Sequence, residues 1–222
     1  MGAILMTLMS RSTSHRQRAV LAVLATTLAL ASCGESKSRY LANKEEKVYL
    51  KVPRDWKVLR YSASDVDPLE DATSQITLVW RSAATADEGG SPGDVSSDEP
   101  IAFTAVYELS GELNQRMSAS LARVAASPDG FDPVLPTDDT QGKLVDVLDY
   151  EPLGLPGING SRIVYRSKET AADDWSMVHD ISAAYDSKHF RLYVLQVGCS
   201  VDCYDRNKDA ISKVASSWLV KP

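Results

Sequence analysis

The chain reads as an α+β domain, an antiparallel sheet covered by helices in an α/β/α sandwich. Three observations predict this. Several short segments alternate apolar and polar residues with the period of a strand, and turn signals join neighbouring ones. One segment, Phe190 to Val197, is apolar on both faces and therefore needs a layer above and below it. Two segments, around Leu113 and Ile211, carry apolar stripes at helical spacing that can supply those layers.

In chain order, Val48, Leu50 and Val52 alternate with Tyr49 and Lys51, which predicts a half-buried strand ended by Pro53. Pro53-Arg54-Asp55-Trp56 reads as a turn into a second strand at Lys57 to Tyr61, the two forming a hairpin. Ile76 to Arg81 is a third strand. Residues 83–100 are dominated by Asp, Glu, Gly and Ser and read as a mobile acidic insertion between adjacent strands, with no aromatic anchor for a partner. Ile101 to Leu109 resumes strand character. Leu113, Met117, Leu121 and Val124 then share one helical face, with Ser110 as the cap and Pro128 beyond the end.

Leu144 to Leu148 is apolar enough for a strand, and Asn159-Gly160 predicts a tight hairpin because both residues accept positive φ. Trp175, Met177, His179 and Ile181 form one face of a further strand. His189 falls at a turn into the double-faced strand Phe190 to Val197. A closing helix is capped by Asp202, with Asp205 near the positive end of its dipole and Ile211, Val214, Ala215 and Trp218 as its buried stripe.

At the N-terminus, Arg11, Arg16 and Arg18 precede the uncharged apolar segment Ala19 to Ala29, the layout of a signal peptide. That segment falls short of the roughly 20 apolar residues a membrane-spanning helix needs. The run Leu30-Ala31-Ser32-Cys33 follows, and it resembles the lipobox of bacterial lipoproteins. The resemblance implies cleavage before Cys33, a diacylglycerol on its sulfur, and a protein held at the extracytoplasmic face of a cell membrane. A plain secretory signal is the alternative. The expected organisation is a signal at 1–32, a polar tether at 33–46 and a single domain at 47–222.

The mature chain would have 190 residues, with 21 basic against 30 acidic, a formal charge of −9. That balance argues against nucleic acid or an anionic bilayer surface as the main partner, since both require clustered Lys and Arg. Cys199 and Cys203 stand four residues apart where the last strand meets the last helix. In an oxidising compartment they are expected to form a disulfide, metal binding and a redox switch being the alternatives.

No catalytic residue, metal ligand or cofactor is assigned. His179 reads as a satisfied structural histidine. Asp205-Arg206-Asn207-Lys208-Asp209 imitates the opening of an EF-hand loop, but Ala210 stands where glycine is required and Ser216 where the bidentate glutamate belongs. Asp138-Asp139 and Asp173-Asp174 read as solvated loop charge.

Two stretches carry a further likeness: Val48 to Trp56 with its Pro-x-x-Trp turn, and Val194 to Cys203 running into Ile211 to Val220 with Ser217-Trp218. They resemble the PsbP-like family, in which a central antiparallel sheet lies between helical layers. Small envelope lipoproteins of actinobacteria look similar. The resemblance implies a non-enzymatic binding or accessory module for an envelope protein or lipid, with no catalytic residues to carry over. Two other functions stay open. A carrier of a small apolar or lipid ligand predicts a cavity lined by residues such as Trp56, Trp80 and Trp175. An envelope hydrolase predicts two carboxylates converging in a cleft, roughly 5 to 10 Å apart.

Overall fold

Among the described residues of the computed structural model, 37–61, 75–87, 90, 98–154 and 157–221, ten strands and four helices follow one another. The strands are β1 (Ser38–Asn43), β2 (Val48–Pro53), β3 (Lys57–Leu59), β4 (Ile76–Thr85), β5 (Ile101–Leu109), β6 (Val145–Pro152), β7 (Asn159–Ser167), β8 (Met177–Asp186), β9 (Arg191–Ser200) and β10 (Leu219–Val220). The helices are α1 (Gly111–Arg116), α2 (Ala119–Ala126), α3 (Asp139–Gly142) and α4 (Val201–Ser216). All pairings are antiparallel. Seven strands form one sheet in the order β3-β4-β5-β9-β8-β7-β6, and β1-β2-β10 form a second, smaller one.

β9 lies at the centre of the large sheet and is buried on both faces, as its composition requires. Leu192 and Val194 point into one core with Tyr107, Ile163, Ile181, Leu113 and Ala122. Leu195, Val197 and Cys199 point into the other with Leu50, Val52, Trp56, Ile211 and Val214. Thus α1 and α2 cover one face, while α4 and the small sheet cover the opposite one. Val48 and Val220 extend this second layer over Val106, Ala184 and Tyr193.

Several expectations change in the structure. Residues 38–43, read as part of a tether, form β1, because Leu41 can bury itself beside Leu50 once the chain folds back along β2. β2 and β3 are not a hairpin: the turn at Pro53 carries the chain from the small sheet into the large one, where β3 pairs with β4. The acidic insertion begins after Thr85, since Ala83, Ala84 and Thr85 are buried in β4. Its base is held by Thr85 Oγ1 donating to the Pro100 carbonyl at 3.1 Å, and residues 88–89 and 91–97 lie outside the described residues.

The helix expected from Leu113 to Val124 is two helices. Met117 is extended at ψ 135°, and Ser118 caps a new start by accepting the Leu121 amide, as Ser110 accepts that of Leu113. Asn159-Gly160 is no turn but the opening of β7. Gly160 serves close approach, because a Cβ there would lie 2.4 Å from the Ala183 carbonyl oxygen. The positive φ in this connection belongs to Gly157, at 73°. α4 is capped by Ser200, which accepts the Cys203 amide, so Asp202 falls inside the first turn. Trp218 follows the helix and packs between the two cores on that face.

Candidate functional site

Among the described residues, polar or exposed chemistry gathers at several places in this fold. The first is a small polar cavity of about 210 Å³ at the end of β7 and β8 under the loop after α2, lined among others by Asp129, Ser167, Lys168, Ser176 and His179. His179 is buried on the α2 face of β8 beside Tyr165, with ring centroids 5.0 Å apart. Its Nε2 lies 3.1 Å from Ser167 Oγ and its Nδ1 lies 3.4 Å from Gln196 Nε2. Both ring nitrogens are thus engaged by protein partners, Ser167 on one side and Gln196 on the other.

Burial pushes the His179 pKa down, against the pull of the Asp129 carboxylate, so the imidazole is neutral. Tyr165 donates to Asp129 Oδ2 at 2.8 Å and meets Ser127 Oγ at 3.2 Å. Burial and then the Asp129 charge push its phenol far above the usual range. Every polar group in the cavity wall named here has a protein partner. Among the described residues, no group of three or more His, Cys, Asp or Glu is placed to hold a metal ion.

The second place is a pair of buried ion pairs, one on each face. Arg123 of α2 reaches Asp132 with two hydrogen bonds of 2.8 and 2.7 Å and donates to Ser161 Oγ at 3.1 Å. Ser120 Oγ donates to the same carboxylate at 2.6 Å. Burial alone would raise Asp132, but the bonds from Arg123 and Ser120 hold it below the ordinary carboxylate range. On the α4 face, Arg162 grips Asp180 at 2.7 and 2.6 Å and reaches Glu151 at 3.1 Å. Neither pairing was visible in the sequence. Arg123 sits among helix-forming residues and Asp132 in a proline-rich loop, with no spacing that links them.

The third place is the sheet edge formed by β6, which among the described residues pairs only with β7. Six of its eight residues are exposed, among them Val147, Leu148 and Tyr150. A register shift between Val147 and Asp149 makes Leu148 the bulged residue. Two of the three acids of this strand are engaged by its neighbour, Asp146 by Arg166 and Glu151 by Arg162, while the exposed Asp149 accepts the Tyr150 amide. Val147, Leu148 and Tyr150, interrupted by Asp149, thus lie exposed along an edge that has no second partner strand among the described residues, a feature that natural sheets usually mask.

The residues singled out in the sequence distribute as follows. Cys199 and Cys203 form a disulfide with Cα atoms 5.9 Å apart, joining the end of β9 to the first turn of α4. Cys33 lies outside the described residues. Trp56 is in the core under α4, Trp80 packs beside Val106 and Tyr193, and Trp175 stacks with Arg166 and Lys168, so the three line no common cavity. Asp138 caps α3 by accepting the Thr140 and Gln141 amides, and Asp173 holds the Thr170 amide in an exposed turn. His189 closes the β8–β9 turn on Asp186 at 2.6 Å. Residues Asp205 to Asp209 belong to α4.

No protein-family model matches the chain, and no curated protein sequence matches it. Among solved structures, it is similar to the cyanobacterial PsbP protein CyanoP of Synechocystis, at 12% identity and a TM-score of 0.50 over 85% of this chain and 95% of that one. The fold is PsbP-like. Two weaker likenesses are LpqN, a protein involved in cell envelope biogenesis of Mycobacterium tuberculosis (12% identity, TM-score 0.45, 85% and 93% coverage), and the Ran-binding protein Mog1p of Saccharomyces cerevisiae (7%, 0.43, 82% and 95%). In this PsbP-like domain the Pro53-to-Trp56 turn joins the two sheets, and the closing Ser217-Trp218 anchors α4. Ser217 Oγ accepts the Lys51 amide at 3.0 Å and has the Val214 and Lys51 carbonyls at 2.7 and 3.0 Å as acceptors for its one proton, stitching the helix end to β2. Among the described residues no helix is long and apolar enough to cross a membrane.

Proposed function

We propose that the protein is an extracytoplasmic lipoprotein, acylated at Cys33, whose PsbP-like domain is a non-enzymatic binding module for an envelope protein. The observation that carries the binding role is the β6 edge, where Val147, Leu148 and Tyr150 lie exposed on a strand that, among the described residues, has no second partner strand and so suits pairing with an extended segment of a partner. Support for the non-enzymatic character comes from the buried titratable groups. Arg123 with Asp132, Arg162 with Asp180, and His179 with Ser167 and Gln196 are each committed to a protein partner. The anchor rests on the Leu30 to Cys33 run and the charged, apolar segment before it.

Photo-crosslinking from position 150 in the native envelope, with mass spectrometry of the adducts, tests the reading. A reproducible protein adduct that disappears in a Leu148→Asp variant is the expected result. A stoichiometric lipid in place of a protein would favour carriage, and turnover of a peptidoglycan or ester substrate by the purified protein would overturn the non-enzymatic assignment. Cys33→Ser is expected to release the protein from the membrane fraction. Retention of that variant refutes the anchor.

A further inference from the structure

The outer face of the small sheet combines exposed apolar residues with positive charge, in a protein that is otherwise acidic. β1, β2 and β10 turn Leu41, Val48, Leu50, Val52 and Val220 inward. Alternation then sets Tyr40, Ala42, Tyr49, Lys51 and Leu219 on the other side. Register draws them together: Ala42 stands opposite Tyr49, Tyr49 opposite Leu219, and Tyr40 opposite Lys51. Tyr40 is 66% exposed and Leu219 is 40% exposed, although both lie in paired strands where large apolar side chains usually find cover. Lys221 lies with its Nζ 5.5 Å from the centre of the Tyr49 ring.

Charge is segregated to the same place. Residues 37–56 and 217–221, which make the small sheet and its turns, hold seven basic and three acidic residues. The rest of the chain from Cys33 onward holds 14 basic and 27 acidic ones. One of the three acids, Glu46, is engaged by Arg191 at 2.9 Å. The charge balance of the whole chain therefore conceals a net positive small sheet, of which Lys51 and Lys221 lie on the outer face beside Tyr40 and Tyr49 while Arg39 turns inward with its Nε buried.

We propose that this face docks on an anionic phospholipid bilayer. The inference rests on the acylated Cys33 of the proposed function. Only four residues separate that cysteine from Ser38 at the start of β1, so the chain allows at most about 18 Å between the anchor and the sheet. Aromatic and aliphatic side chains rimmed by lysine are the composition that sits at a headgroup boundary, the rings at the interface and the ammonium groups on lipid phosphates. The acyl chains hold the protein at the membrane. The small sheet then sets its orientation, leaving the β6 edge, on a different sheet, for a partner.

The test uses the mature acylated protein in vesicles of phosphatidylcholine with and without phosphatidylglycerol. Cys33 is blocked by lipid and Cys199 by Cys203, so a fluorophore on Ala42→Cys labels one site, and Asp139→Cys in α3 serves as the control position. With nitroxide-bearing lipid as quencher, Ala42→Cys is expected to be quenched several-fold more than Asp139→Cys, only when phosphatidylglycerol is present and less at high salt. Lys51→Glu with Lys221→Glu should lower the docked-to-free ratio at least about tenfold, and Tyr40→Ser with Leu219→Ser should abolish the quenching. Equal quenching at the two positions overturns the proposal, as does quenching indifferent to phosphatidylglycerol. A label at position 42 shielded from solvent but not quenched by lipid, with crosslinked dimers, also overturns it in favour of a second copy. Vesicle flotation of the same samples separates the two claims: protein that floats but is not quenched defeats the docking alone, whereas protein that does not float defeats the lipoprotein reading and the docking with it.

Discussion

Gln196 Nε2 lies 3.4 Å from His179 Nδ1 and Ser167 Oγ lies 3.1 Å from its Nε2, so both nitrogens of the buried imidazole are engaged. Burial keeps the ring neutral, so acidification is the condition that sets it against its surroundings. Its pKa is lowered in the folded state by burial, while the unfolded value is about 6.5. Below about 6.5 the unfolded chain binds the extra proton more readily, so this group's contribution to stability, present above that pH, is lost as pH falls toward the folded value. Urea midpoints should fall between pH 7.5 and pH 5 in the wild type. In His179→Gln the slope over this interval should flatten; an unchanged slope would assign it to other groups.

Arg123 and Asp132 make the second test. Both side chains are about 95% buried, so removing one strands a charge in the core. Asp132→Ala is expected to destabilise by about 3 to 5 kcal/mol, whereas the double replacement Arg123→Met with Asp132→Leu should recover much of the loss. Denaturant unfolding of the three variants measures this. A single-variant cost under about 1 kcal/mol would mean that water reaches the pair.

Gly160 distinguishes the strand reading from the turn reading of Asn159-Gly160. A methyl group there would meet the Ala183 carbonyl oxygen at 2.4 Å and Ala184 Cα at 2.7 Å, both backbone atoms that move only with β8. Gly160→Ala should cost about 1 to 3 kcal/mol as an overpacked site. Gly154→Ala, with nothing within 4 Å of its Cβ, should be close to neutral by thermal melting. Equal melting temperatures would contradict the close approach.

The Cys199–Cys203 disulfide closes a ring of only five residues, so loop entropy limits its contribution to about 2 kcal/mol. Both cysteines are fully buried against α4 and β9, so reductant reaches the sulfurs only after local opening. Thiol release in dithiothreitol should therefore be slow in native buffer and accelerate steeply in moderate urea. Fast release without denaturant would show that the strand-to-helix junction opens by itself.

Local pattern settled much of this architecture. Alternation along Val48 to Val52, the double-faced run that became β9, the stripe at Ile211, Val214 and Ala215, the Ser110 cap and the Cys199–Cys203 bridge were all legible, because each depends on residues within one element or on neighbouring positions. The errors share a different cause. β1 hides in a polar segment because one leucine suffices once a partner strand lies beside it. Ser118 outweighed the periodicity that spans Leu113 to Val124. Gly160 was read for its φ freedom when the sheet uses its missing side chain. The Arg123–Asp132 pair, the exposed β6 edge and the outer face of the small sheet with Lys51 and Lys221 join residues far apart in the chain. Only strand order and register bring such groups to one place, since burial, pairing and local charge density are properties of neighbours in space and not of neighbours in sequence.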